Sequence, residues 1–193
     1  MVARILLCFV VLTLVNENPV KSQDRDNIAI ELGTNLSYGE GITDRFQNIM
    51  IPTFTFALGL NRPINNNSSL SIMVQPLGFY SLWNQLDHFG YQANALVSYN
   101  LGAGASPNNR SKIGAFAGLG IQYNIMEEYY DYYAEELKER LTIMGPFLQT
   151  GIRFRLGKES NNGTIGFRFK YGWDFQNTTK KTYEGGIAFY GLL

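Results

Sequence analysis

The sequence is poor in the residues that staple or catalyse. Its 193 residues hold one cysteine, Cys8, and one histidine, His88, so neither a disulfide framework nor a cysteine-based metal centre can be built. Charge is scarce as well: 16 basic and 16 acidic side chains make up 17% of the chain and cancel, against roughly a quarter in ordinary soluble domains. With no basic excess to meet phosphates, nucleic acid is excluded as a partner. No stretch reaches 18 consecutive apolar residues, which removes a transmembrane helix. What is abundant is glycine, at 20, beside 13 Phe and 12 Tyr. Glycine weakens helices and aromatics favour pleated surfaces. The combination therefore predicts an all-β chain of one domain's length.

The first residues read as a secretory signal peptide: Arg4 supplies the positive charge, 5–15 form an apolar run, and a polar stretch ends with Val20 and Ser22 at the −3 and −1 positions of a cleavage site. The expected division is a signal peptide over 1–22 and one β-barrel domain over 23–193. Period-two alternation then recurs along the chain. Ile165, Phe167, Phe169, Tyr171, Trp173 and Phe175 alternate with Thr164, Gly166, Arg168, Lys170, Gly172 and Asp174, the pattern of a strand with one apolar face. The same reading predicts eight strands, over 28–38, 50–61, 70–80, 89–101, 113–123, 144–156, 164–175 and 183–193.

Alternation alone fits a secreted, lipocalin-like carrier with its apolar face inside as well as a membrane barrel with that face outside. The polar phase separates them. It is crowded with small residues such as Gly33, Gly59, Gly118, Gly120, Gly151 and Gly166, which suit a narrow lumen better than a solvated outer wall. Strands of this length also cross a bilayer when tilted, and closure leaves no unpaired edge in lipid. The Gly-x-Trp signature near the start and the disulfides of a lipocalin are missing. The prediction is an eight-stranded antiparallel transmembrane β-barrel, an up-and-down meander.

The eight amphipathic strands and the last strand, Gly185, Gly186, Ile187, Ala188, Phe189, Tyr190, Gly191, Leu192 and Leu193, resemble the small outer-membrane protein β-barrel domain family of Bacteroidota and, more distantly, barrels of the OmpA and OmpX type. The resemblance implies export to the outer membrane and a chain recognised by the barrel-assembly machinery and seated in outer-membrane lipid. It places both termini on the periplasmic side, with periplasmic turns at 61–69, 102–111 and 157–163 and outward connections at 39–49, 81–88, 124–143 and 176–182.

Inward-facing charges would be Glu31, Lys112, Arg153, Arg155, Arg168, Lys170, Asp174 and Glu184. Because a charge inside a barrel must be paired or hydrated, an ion-pair network of Glu31, Arg153, Arg168, Lys170, Asp174 and Glu184 is expected. Counting along the strands puts Glu31, Arg153 and Arg168 at one height. A plugged lumen is the structural expectation, and an ion or proton path the sharper alternative.

Enzymes on this architecture, lipid A deacylases among them, need a nucleophile within reach of a base. His88, with Asp87 beside it and Ser81 nearby, is the one candidate base, but the deacylase pattern places Ser two residues after the His and position 90 is Gly. No catalytic residue, cofactor or metal ligand is assigned. The outward connection at 124–143 is the other candidate. Tyr129, Tyr130, Tyr132 and Tyr133 stand there among six acids, with Lys138 and Arg140 as the bases of residues 127–140. Tyrosine gives rigid amphipathic contact area, so this segment is expected to meet an external protein or glycan. Its local form is left open between a surface helix, with Glu136 and Arg140 spaced i, i+4, and an extension of the two strands. The functional expectation is a monomeric, non-enzymatic integral outer-membrane protein with a structural or surface-interaction role. A lipid-modifying enzyme and a secreted ligand-binding barrel are the alternatives.

Overall fold

The computed structural model describes residues 26–40, 51–81, 88–132, 135–157 and 163–193, with backbone alone at 39–40, 51, 77–81, 88–89, 126–132 and 135–141. The segment expected as a signal peptide, 1–22, lies outside them. Eight strands follow in order: β1 (Asn27–Glu40), β2 (Ile51–Asn65), β3 (Ser68–Ser81), β4 (His88–Gly102), β5 (Ile113–Tyr132), β6 (Glu135–Arg155), β7 (Gly163–Trp173) and β8 (Lys181–Leu192). Each pairs antiparallel with the next, and β8 closes on β1 through registers such as Leu32↔Phe189. The chain is a closed eight-stranded meander barrel. One end, here the terminal end, carries the start of β1, the end of β8 and the turn at 66–67; the other is the distal end.

The alternation decides which way each face points. Phe167 and Phe169 are 61% and 49% exposed, whereas Arg168 and Lys170 between them are 8% and 3% exposed. Phe54, Phe56, Leu58 and Leu60 on β2 are likewise exposed and Thr53, Thr55 and Ala57 buried. The barrel is therefore apolar outside and polar inside. This is the reverse of a soluble carrier, and that alternative falls. An exposed apolar surface continued over all strands is far larger than the patches a soluble monomer tolerates.

Strand limits differ from the sequence expectation in three places. β5 and β6 run on into the segment expected as a long connection, pairing as far as Tyr132↔Glu135, so the open choice resolves as strand extension and Glu136 and Arg140 belong to a strand. The expected turn at 61–69 shrinks to 66–67, because Asn61 faces inward and accepts bonds from Ser69 and Ser71, holding β2 against β3 almost to the tip. β7 stops at Trp173, because Asp174 turns to cap the connection that follows.

The lumen is filled by long polar side chains and a few aromatics. Its room comes from glycine. Arg168 on β7 reaches across Gly186 on β8 to Asn35 on β1, and a Cβ on Gly33 would stand 2.8 Å from its Nη2. Any larger residue at Gly33 would push the guanidinium off its partners.

Candidate functional site

Among the described residues, two ion-pair clusters are stacked inside the barrel. Nearer the terminal end, Glu31 lies between two arginines, with Arg168 Nη1 at 2.5 Å and Arg153 Nη2 at 3.6 Å. Arg168 donates further bonds to Asn35 Oδ1 at 2.7 Å and to Thr55 Oγ1, while Arg153 donates to Asn100 Oδ1 at 2.8 Å. The Arg153 guanidinium is also sandwiched between Tyr190 and Phe116, at 3.8 and 4.2 Å from their ring centres, where the ring faces add cation–π attraction. Towards the distal end, Lys170 meets Glu184 at 2.7 Å from the neighbouring strand, and Gln92 donates to the same carboxylate. Asn94 accepts from Lys170 Nζ, whose charge lies 4.8 Å from the Phe147 ring centre. Between the clusters a cavity of about 20 Å³ remains, lined by Glu31, Met73, Phe147, Gln149, Arg153 and Arg168 among others, room for about one water.

Five of the six residues expected in the lumen network are thus brought together, as a triad and a pair. Asp174 is not among them. Its carboxylate sits at the distal rim and accepts bonds from the backbone N–H groups of Met144, Gln176 and Asn177 at 2.8 to 2.9 Å. Burial pushes its pKa up, but the donors of Met144, Asn177 and Gln176, with Lys180 nearby, outweigh that and hold it below the ordinary carboxylate value. Lys112 and Arg155 also leave the expected set. Lys112 precedes β5 and is exposed; Arg155 ends β6 at the barrel mouth and is only half-buried.

The sequence reading missed two features. Phe116, Phe147 and Tyr190 are buried inward although the apolar phase as a whole faces out; their signal is phase, since Phe116 alternates in step with Gly114 and Gly118. The second is the connection at 103–112, expected as a plain turn, which folds into the terminal mouth. Ala103, Ala105, Ser106 and Asn109 are buried there. Asn61 Nδ2 donates to Ala105 O at 2.9 Å, and Asn109 Nδ2 donates to Asn66 O and Asn67 Oδ1. Gly104, at φ +85°, brings the loop so close beneath the Glu31 cluster that a Cβ would stand 3.4 Å from both Arg153 and Tyr190. Its run of small residues, Gly102 to Ser106, was the readable hint.

At the distal end β6 pairs with β7 only as far as Phe147↔Gly172, and β5 with β4 as far as His88↔Glu128. Beyond these ranks the β5–β6 hairpin stands alone among the described residues, except that Met144 bonds to Asp174 and to Phe175 N. The backbone of Tyr129, Tyr130 and Tyr132 lies in this projecting part of β5; Tyr133 falls outside the described residues. Ser81 ends β3 and His88 begins β4, and Asp87 lies outside the described residues. Among residues with described side chains, no three of His, Cys, Asp and Glu stand together as a metal site.

Solved structures share this fold. Neisserial surface protein A matches with a TM-score of 0.56 at 11% identity, over 86% of this chain and 97% of that one. The fold is that of a small outer-membrane β-barrel. Ail, the attachment invasion locus protein of Yersinia pestis, matches with a TM-score of 0.55 at 12% identity, over 87% and 98%. The N-terminal barrel domain of Pseudomonas aeruginosa OprF gives 0.53 at 10%, over 87% and 99%. Ail has also been solved in complex with the heparin analogue sucrose octasulfate. No protein-family model and no curated protein matches the chain in sequence.

Proposed function

We propose that this protein is a non-enzymatic integral outer-membrane barrel whose projecting β5–β6 hairpin contacts an external protein or glycan. The observation that carries the reading is the inside-out barrel: apolar side chains exposed on all sides and ion pairs sealed within. Only a hydrocarbon surround makes that distribution stable, because closure satisfies every ladder bond and the outer wall then matches lipid. The hairpin supports the second half. A β-connection needs only two to five residues, so twenty- and twenty-one-residue strands exceed what closing the barrel requires. Its sequence adds four tyrosines and six acids against two bases. A sulfated ligand such as the one solved with Ail would be repelled there, so the fitting partner is cationic or uncharged.

The test has two arms. Membrane fractionation with gels of heated and unheated samples should find the protein in the outer membrane with heat-dependent mobility; recovery from the soluble fraction with no shift would overturn the membrane reading. Deleting 128–138 should keep the heat shift and remove binding to host cells or to a glycan array. If the deletion prevented assembly, the hairpin would be structural and the contact reading would fall.

A further inference from the structure

The two ends of the barrel carry opposite charge. Residues 127–140 of the projecting hairpin hold six acids against two bases, whereas the terminal end holds Arg62, Arg110, Lys112 and Arg155 against Asp26 as the one acidic side chain described there. Asp24, Arg25, Lys158 and Glu159 lie outside the described residues and add no net charge. Among the described residues, none of the four cations has a hydrogen bond or an ion pair from its side chain. Arg62, Arg110 and Lys112 are exposed and Arg155 is half-buried, so nothing described neutralises them.

Their placement points to lipid. Arg62 stands on the outer wall of β2, in phase with Leu60 before it and Ile64 after it. Lys112 and Arg155 face each other at the end of the β5–β6 ladder, one residue beyond Ile113↔Phe154, where Arg155 N–H donates to Lys112 O at 2.9 Å. Like charges directly opposite each other repel. The mouth behind them is filled by the 103–112 loop, whose Asn109 is bonded to Asn66 and Asn67, which leaves the rim as the exit for their heads. Arg110 joins them from that loop. The rim is also short: apolar side chains stay exposed to the last ranks, at Ile28, Ile113, Leu156 and Leu193. Lys112 and Arg155 are therefore one residue, about 3.3 Å, from the edge of the apolar belt. That is the level of lipid phosphates.

We propose that Arg62, Arg110, Lys112 and Arg155 form a cationic collar that binds the phosphates of anionic phospholipid in the leaflet at the terminal end. Arginine can hold a phosphate through two parallel N–H bonds, and long basic stems lie along apolar surface while their heads reach the headgroups. Bound lipid supplies the counter-charge that no described side chain supplies, and it fixes the height of the barrel in the bilayer. The inference rests on the membrane reading and is independent of the partner that the hairpin meets.

The experiment uses the full barrel refolded into bilayers of phosphatidylcholine with a minority of phosphatidylglycerol, with spin-labelled forms of both lipids as probes of the shell around the protein. The wild type should hold phosphatidylglycerol about threefold more strongly than phosphatidylcholine. Arg62→Gln, Arg110→Gln, Lys112→Gln and Arg155→Gln together should bring the ratio close to one, and about 1 M salt should do the same by screening. Lys138→Gln with Arg140→Gln, which removes two cations from the hairpin, should leave the ratio unchanged. Each variant should keep heat-dependent mobility in phosphatidylcholine alone, which separates loss of the collar from loss of the fold. Insertion without any lipid preference, or a preference that the fourfold variant retains, would overturn the collar alone. A chain that failed to insert would overturn the membrane reading and the collar with it. Co-sedimentation with peptidoglycan that the fourfold variant loses, in place of a lipid preference, would assign the four cations to the cell wall and overturn the lipid proposal.

Discussion

At the residue scale the most constrained side chain is Glu31. One carboxylate serves two buried guanidinium groups, so removing its charge strands both. Glu31→Gln should destabilise the barrel by about 3–5 kcal/mol, the range for breaking a buried pair from one side, read from urea unfolding of the barrel in lipid vesicles. The Lys170–Glu184 pair provides the contrast. Lys170→Gln alone leaves Glu184 uncompensated, whereas Lys170→Gln with Glu184→Gln removes both charges and should cost much less. An equal cost for the single and double changes would show that the two do not act as a pair. The triad was legible in the sequence because height and phase can be counted along regular strands. Asp174 was misplaced by the same counting, since alternation continues in the letters two residues past Trp173, where β7 turns away to its cap.

At the element scale, strands were legible wherever their two faces meet different surroundings. Within the belt every second residue must be apolar, and the eight ranges emerge to within a few residues except on β5 and β6. From Glu127 to Arg140 the sequence carries charges and tyrosines in both phases, since beyond the belt neither face must shun water, and period-two contrast vanishes although the ladder continues. The loop at 103–112 was opaque for another reason: small residues in a turn look alike whether they face solvent or plug a mouth. The belt itself yields a test on β7. Phe169 faces out and its neighbours Arg168 and Lys170 face in, so Phe169→Arg should cost about 2–4 kcal/mol by placing charge near the middle of the hydrocarbon. The measurement is folding into vesicles against Thr150→Arg, at the register partner of Phe169 on β6 and also exposed, which should cost as much. A Phe169→Arg barrel that folded as well as the wild type would invert the assignment of faces.

At the scale of the whole molecule, the question is whether eight strands enclose a path or a core. An eight-stranded barrel is only wide enough for side chains to fill, and here the filling comes in three successive layers. The Lys170–Glu184 pair with Gln92 lies towards the distal end, the Glu31–Arg153–Arg168 triad below it, and the 103–112 loop beneath the triad, bonded to Asn61, Asn66 and Asn67. The space left between the first two layers is about 20 Å³, far short of a hydrated ion's path. Opening any one layer leaves the others in place, so conduction would require several buried pairs to separate together, each break costing kilocalories in a low-dielectric interior. The barrel reconstituted in planar bilayers should therefore be electrically silent at moderate voltage, and shortening the loop by removing 104–108 should leave it silent, because the triad still blocks the lumen. Combining that deletion with Arg153→Ala, Arg168→Ala and Lys170→Ala, so that all three layers are opened, should be the first change to admit current. Steady conductance by the wild-type barrel would mean that the layers exchange partners readily, and the lumen would then be a path.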